Sequence, residues 1–158
     1  MPKKKPTFAQ AQLQLQLYDL RREPRLRQAR DWFLQNYLVS SLDEGNRLTP
    51  PGSEQSAMAR MTTTYWDQAC AMLNYGLLHE DLFFESTGEF YAVYELLRPV
   101  LAELRERYGA PFFYQHLEKA AKRYEAWLKR RAPRWFEQQR KLSAAARTRH
   151  DAKAAAKS

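Results

Sequence analysis

Large apolar side chains recur along this chain at steps of three and four residues. Leu26, Ala29, Phe33 and Tyr37 form one such run, and Met58, Met61, Tyr65, Ala69 and Met72 a second. Phe90, Val93, Leu97, Val100 or Leu101, and Leu104 form a third, and Phe113, Leu117, Ala120, Tyr124 and Leu128 a fourth. Residues three or four apart share one side of an α-helix, whereas a half-buried strand needs alternation at every second position. A chain built on four helical stripes must bury them against one another. The 158 residues suffice for one domain with a real core. The reading is all-α: a compact bundle of four or five mostly antiparallel helices.

Punctuation between the stripes sets the expected boundaries. Residues 8–21 are ambiguous, because Leu13, Leu15 and Leu17 alternate with Gln12, Gln14 and Gln16 at a strand period. Ala, Gln and Leu are strong helix formers and no partner strand is in view, so the segment reads as helix. Pro24 opens a helix to about Val39. Residues 40–53 carry turn signals and no periodicity, and read as the main loop. A helix follows over about 54–75, closed by Gly76. A short helical turn is expected near Asp81–Glu85, within an apolar connector. Ser86 with Glu89 has the spacing of a capping box for the next helix, which Pro99 should bend or split and Gly109 should end. Pro111 reads as the start of the last core helix, to about Arg131, and a basic helix over Arg134–Ser143 follows Pro133. The domain division is then 1–6 as a flexible basic arm, 7–131 as the helical domain, and 132–158 as a basic helix and tail. Beyond Ser143 no apolar residue is larger than alanine. That stretch cannot join a core and reads as disordered or transiently helical.

Charge is unevenly placed. The net +8 comes from the ends: residues 129–158 hold ten Lys/Arg and two acids, and residues 1–5 hold three lysines. Residues 6–128 hold 13 Lys/Arg against 16 Asp/Glu and are mildly acidic. The basic balance therefore concerns the tails and not a cleft in the core. No run approaches the roughly 20 apolar residues of a membrane-spanning helix, and the positive start has no apolar stretch behind it, so it is not read as a secretory signal. One cysteine, Cys70, excludes an intrachain disulfide; it reads as a small buried side chain, and fits a reducing, cytoplasmic setting.

Candidate chemistry is sparse. His79, Glu80, Asp81, Glu85 and Glu89 place a histidine among carboxylates, as a metal site does, but no second histidine stands at ligand spacing. A polar turn with capping acids explains the group better. His116 reads as a half-buried, hydrogen-bonded side chain. Nucleophile elbows and phosphate-cradling glycine loops are absent, so no catalytic residue, metal or cofactor is expected, and the chain reads as non-enzymatic. The Met, Tyr and Trp stripe of 58–73 is read as core in preference to a ligand pocket. Lys129, Arg130, Arg131, Arg134, Trp135, Arg140, Lys141, Arg147 and Arg149 are the candidate contacts for an anionic surface. Basic side chains there neutralise phosphates and interleaved aromatics can stack on bases.

The chain resembles an uncharacterised bacterial family of small helical proteins of unknown function. Arg22-Glu23-Pro24 with Ala29 to Phe33, the stretch Gly76 to Glu85, the Glu106 to Gly109 turn before Phe112-Phe113, and Trp127 carry the likeness, over roughly residues 20–128. The resemblance implies no activity. Some proteins it resembles add a membrane segment, which allows a peripheral role. A binding domain for another protein is the leading functional expectation. Nucleic-acid association through the basic tail is the alternative, and binding to an anionic membrane surface a third.

Overall fold

The structure, a computed structural model, describes residues 5–156. The described residues form eight helices and no strand: α1 (Phe8–Arg21), α2 (Pro24–Asn36), α3 (Leu42–Leu48), α4 (Glu54–Asn74), α5 (Glu80–Ser86), α6 (Glu89–Arg107), α7 (Gln115–Arg131) and α8 (Pro133–Ala155). They divide into two compact units, Met1–Ala121 and Lys122–Ser158. Residues 1–4 of the expected arm, and Lys157 and Ser158 at the other terminus, lie outside the described residues.

The first unit is built on α2 against α4 and α4 against α6. The stripes of α2 and α6 are buried largely as read, with Leu26, Ala29 and Phe33 on the first and Phe90, Val93, Leu97, Val100 and Leu101 on the second. On α4 the buried line is shifted: Met58 and Ala69 are buried together with Trp66, Cys70 and Leu73, while Met61, Tyr65 and Met72 are half-buried. Phe83 of α5 packs tilted by 44° against Phe90 at 5.2 Å between ring centroids, and Phe84 stacks on the same ring at 5.9 Å and 14°. Each such ring removed from water contributes about 1.5–3 kcal/mol. Gly76 and Gly109, at φ +77° and +58°, end α4 and α6 as expected. In each, the following N–H reaches back five residues (Leu77 to the Met72 carbonyl, Ala110 to that of Arg105), the bonding that a left-handed residue permits.

One polar cluster lies inside this core. The Arg30 guanidinium of α2 donates through Nε and Nη2 to both carboxylate oxygens of Glu89 on α6. Trp66 Nε1 of α4 donates to the same carboxylate at 3.0 Å, and Arg30 Nη1 donates to the Arg21 carbonyl at 2.9 Å. The two side chains are only 11% and 18% exposed. Glu89 holds the Arg30 proton above its ordinary pKa, mainly through this hydrogen bond.

Several expectations are corrected. The helix count is eight and not four or five, because α3 and α5 are helices in their own right. Residues 42–48, expected as loop, are helical because Ser41 Oγ accepts the Glu44 N–H at 3.2 Å while Glu44 returns a carboxylate to the Ser40 N–H at 2.8 Å. The expected capping box at Ser86 and Glu89 does not form: Ser86 Oγ bonds back to the Leu82 carbonyl in α5, and Glu89 is held by Arg30, so Gly88 stands at the N-cap of α6 without a side-chain cap. Pro99 does not split α6, whose helix runs on from Glu89 to Arg107. Pro99 lies on the exposed side, where water can serve the carbonyl it leaves without a donor. Pro111 does not start α7. Residues 111–114 form a turn with Tyr114 at φ 53°, and the helix begins at Gln115. Its third N–H, on Leu117, is taken by Asp67 of α4 at 2.8 Å. The cap therefore comes from another helix, and nothing local announces it.

The second unit holds the end of α7 and all of α8. Tyr124 stacks on Trp127 at 5.8 Å, and the Arg131 guanidinium lies 5.0 Å from the Trp127 ring. Lys129 and Arg140 flank Phe136 at 5.3 and 5.8 Å. Residues 144–155, expected as a disordered tail, continue α8 as helix. Proline at its first position, buried Phe136 in its first turn and a run of Ala, Arg, Gln and Lys favour the helix, whose distal half has no buried residue. Lack of a core-joining face was the wrong criterion: such a segment is long enough for propensity alone to hold it.

Glu89→Ala leaves Arg30 and the Trp66 N–H without their shared acceptor. The expected cost is about 2–4 kcal/mol, below the top of the range for a fully buried pair. Urea unfolding measures it. The double variant Arg30→Met with Glu89→Leu should recover most of that loss, and a double variant as unstable as Glu89→Ala would show that the charges are not the cause.

Candidate binding site

α1 docks in an unusual way. At 100° per residue, Gln10, Gln14, Leu17 and Arg21 share one side of the helix, and of these only Leu17 is an apolar core residue. The glutamines reach carbonyls left over by other elements. Gln10 Nε2 donates to the Gly76 carbonyl at 3.3 Å, beside the end of α4. Gln14 Nε2 donates to the Leu82 carbonyl at 3.2 Å and to Ser86 Oγ. Tyr65 of α4 adds its hydroxyl, donated to the Leu17 carbonyl. The leucine and glutamine alternation is thus neither a strand pattern nor an amphipathic stripe. It turns polar side chains inward and leaves Phe8, Leu15 and Tyr18 outward, 79%, 65% and 49% exposed.

Because α1 is held by a few polar contacts and not by a close apolar seam, a gap stays open beneath it. The cavity measures about 270 Å³ and lies between α1, α4, α5 and the α5–α6 connection. Leu17, Tyr65, Trp66 and Phe83 form apolar walls, Leu15 and Tyr18 lie toward the exposed stripe, and Gln14, Arg21, Ser86 and Thr87 supply the polar lining. Its one charge is Arg21. The guanidinium lies 5.1 Å from the Tyr18 ring centroid and 5.9 Å from that of Trp66, and donates to Thr87 Oγ1 at 3.4 Å. Among the described residues no carboxylate forms an ion pair with it, and Glu89, two residues beyond the cavity-lining Thr87, is held by Arg30. Gln14 keeps its Oε1 buried without a donor. Burial pushes the Tyr65 phenol up to about 12, against the pull of Arg21 and Arg30, so it stays a neutral donor at physiological pH. The arrangement can hold an apolar group of side-chain size next to one negative charge.

The other candidates fall elsewhere. His79 caps α5, its Nδ1 accepting the Leu82 N–H at 3.3 Å, and Glu89 belongs to the Arg30 pair. No group of three or more His, Cys, Asp or Glu among the described residues is placed to hold a metal. His116 is half-buried, its carbonyl accepting from Asn74 Nδ2 at 3.0 Å and its ring lying 5.6 Å from that of Tyr75. Of the 58–73 stripe, Met58, Trp66, Ala69 and Leu73 are core, Met61, Tyr65 and Met72 are half-buried, and Tyr65 and Trp66 also wall the cavity. Lys129, Arg130 and Arg131 end α7, and Arg134, Trp135, Arg140, Lys141, Arg147 and Arg149 lie on α8; none lines the cavity. No helix among the described residues is long and apolar enough to cross a membrane. Sequence reading missed Gln14, Arg21 and the exposed Leu15 of α1, although Gln10 and Gln14, four apart, were a visible mark of a helix side that is polar and not apolar.

Over residues 6–124 the chain matches the family described as Domain of unknown function (DUF4760), and it belongs to that family. The match takes in every wall of the cavity and the Arg30–Glu89 pair, and stops before α8. No curated protein matches the chain, and no solved structure does.

Two phenols, Tyr37 and Tyr65, are raised to about 12 by burial, against an unfolded value near 10. The folded state then holds more protons than the unfolded state between those values. Stability is full below about pH 10 and falls as pH rises toward about 12. Urea midpoints measured across that window should decline, and Tyr65→Phe should make the decline shallower while costing about 1 kcal/mol at neutral pH through the lost bond to Leu17. An unchanged slope in that variant would remove Tyr65 from the explanation.

Proposed function

We propose that this chain is a helical binding domain whose partner is a protein, and that the α1 cavity with its exposed rim is where the partner docks. The observation that carries the reading is Arg21: a half-buried guanidinium without a carboxylate, set in an apolar-walled cavity that opens beside an exposed apolar stripe. The occupant it suits is a protein segment presenting one bulky apolar side chain next to an Asp or Glu. At about 270 Å³ the cavity is smaller than the usual range for cofactors and drug-sized ligands, roughly 300–1,000 Å³, and suits a single side chain.

Magnitudes indicate how such a contact would work. A buried aromatic or leucine anchor contributes about 1.5–3 kcal/mol, and a charge-assisted bond to Arg21 about 1.5–3 kcal/mol. Together these reach roughly millimolar affinity, which corresponds to about 4 kcal/mol. Tighter binding needs the partner to cover Phe8, Leu15 and Tyr18 as well, in the usual pattern of a pocketed anchor surrounded by contacts that exclude water. The buried thiol of Cys70 agrees with a reducing compartment, and a cytoplasmic partner is proposed on that ground.

The test uses short fluorescent helical peptides carrying Phe next to Glu, and the same peptides with Lys replacing Glu. The Phe–Glu peptide should bind the full chain at sub-millimolar concentration, and the Lys version at least tenfold more weakly. Arg21→Ala should erase the difference between the two peptides, and Leu15→Lys, at a largely exposed position, should weaken both without lowering stability. Binding that ignores both substitutions would place the partner surface elsewhere and sink this assignment.

A further inference from the structure

We propose that α8 is a double-stranded nucleic-acid-binding helix, one that lies in the major groove and neutralises phosphates on both sides of it. The site is separate from the α1 cavity, and either can fail without the other.

The first support is the disposition of charge on a helix that is fully formed. Residues 129–156 carry nine Lys/Arg against Glu137 and Asp151. Along α8 the cations stand at 134, 140 and 141, 147 and 149, and 153. At 1.5 Å per residue they recur about every 10 Å over roughly 28 Å of helix. At 100° per residue Arg134 and Lys141 share one side, while Arg140 and Arg147 share another about 120° around. A helix in the major groove meets a row of phosphates on each flank, and cations on two sides suit that environment. Arg134, Arg140, Lys141, Arg149 and Lys153 are exposed.

The second support is girth. Ala144, Ala145, Ala146, Ala152, Ala154 and Ala155 leave the distal half of α8 thin. A groove about 12 Å wide admits an α-helix of about 10–12 Å diameter, and short side chains let the helix sit deep in it. The alanines also hold the helix without a core, so the rod exists before it meets a partner.

The same residues argue against the other anionic surfaces. A helix lying on a membrane needs an apolar face along its length. The large apolar side chains of α8 are Trp135, Phe136 and Leu142, all in its first ten residues; nothing after Leu142 can enter a lipid layer. An acidic protein surface would need a buried anchor at its centre, and the distal half of α8 has none to offer. A polyphosphate duplex needs only the charge and the shape.

The experiment titrates the full chain with a fluorescent DNA duplex of about two helical turns, the matching single strand, and vesicles containing phosphatidylserine. Five exposed cations predict a slope of log K against log salt near −4.5, so duplex binding should weaken several-hundredfold between about 50 and 200 mM salt. Replacing Arg134, Arg140, Lys141 and Arg149 by Gln should cost more than 100-fold at the lower salt and flatten the slope. Ala145→Pro keeps every charge but breaks the helix midway; it should lose at least tenfold on the duplex and less on the single strand. Circular dichroism checks that both variants keep the remaining helices. Duplex binding that survives either variant unchanged would overturn the proposal, the second case by showing a flexible polycation. Capture by vesicles without duplex binding would overturn it in favour of a membrane surface, and no binding to any probe would overturn it outright.

Discussion

The ion pair between Arg30 and Glu89 organises the first unit. Two charges taken largely out of water cost several kcal/mol each unless they are paired and hydrogen-bonded. Here the carboxylate takes two bonds from Arg30 and one from Trp66, and the guanidinium also donates to the Arg21 carbonyl. These bonds join α2, α4, α6 and the end of α1. An apolar core of similar volume would hold the helices together equally well, but would not set their register. The pair requires Trp66 to turn its indole N–H toward α6, and so fixes the ring that walls the cavity.

The pair also explains why Arg21 stands alone. Glu89, two residues beyond the cavity-lining Thr87, is already taken by Arg30 and Trp66. Arg21 is left against two aromatic rings and a threonine hydroxyl. A cation over ring faces is tolerated there without an anion, yet it keeps most of its capacity for a carboxylate. The cavity and its charge are therefore by-products of how the core satisfies its own polar groups, and the glutamine docking of α1 keeps the gap from closing.

The two proposed surfaces work by different physics. The α1 cavity is small, apolar and short-ranged, and selects by shape and by one charge. α8 is long, basic and without an apolar face, and acts through a field that salt screens. The family match covers the first and ends before the second, so the two need not share a history.

The buried stripes of α2, α4, α6 and α7 were legible because helical periodicity is a property of neighbouring residues: Phe33, Trp66, Phe90 and Leu117 all lie where spacing puts them. The glycine stops at 76 and 109 were legible for the same reason. So was α3, in principle, since Ser41 and Glu44 have the capping spacing and were passed over for the turn residues around them. What could not be read were the roles given to polar residues from a distance. Glu89 had the spacing of a local cap and was taken by Arg30, 59 residues earlier. Asp67 caps a helix that begins 48 positions later in the chain, and Gln14 binds a carbonyl on α5. By itself the sequence determined the helices, their apolar faces and the placement of the charge, because these follow from propensity, period and composition. Only the tertiary structure decided which polar groups found one another, and with them the cavity and the unpaired Arg21, because a hydrogen bond depends on angles and distances between segments that no local pattern encodes.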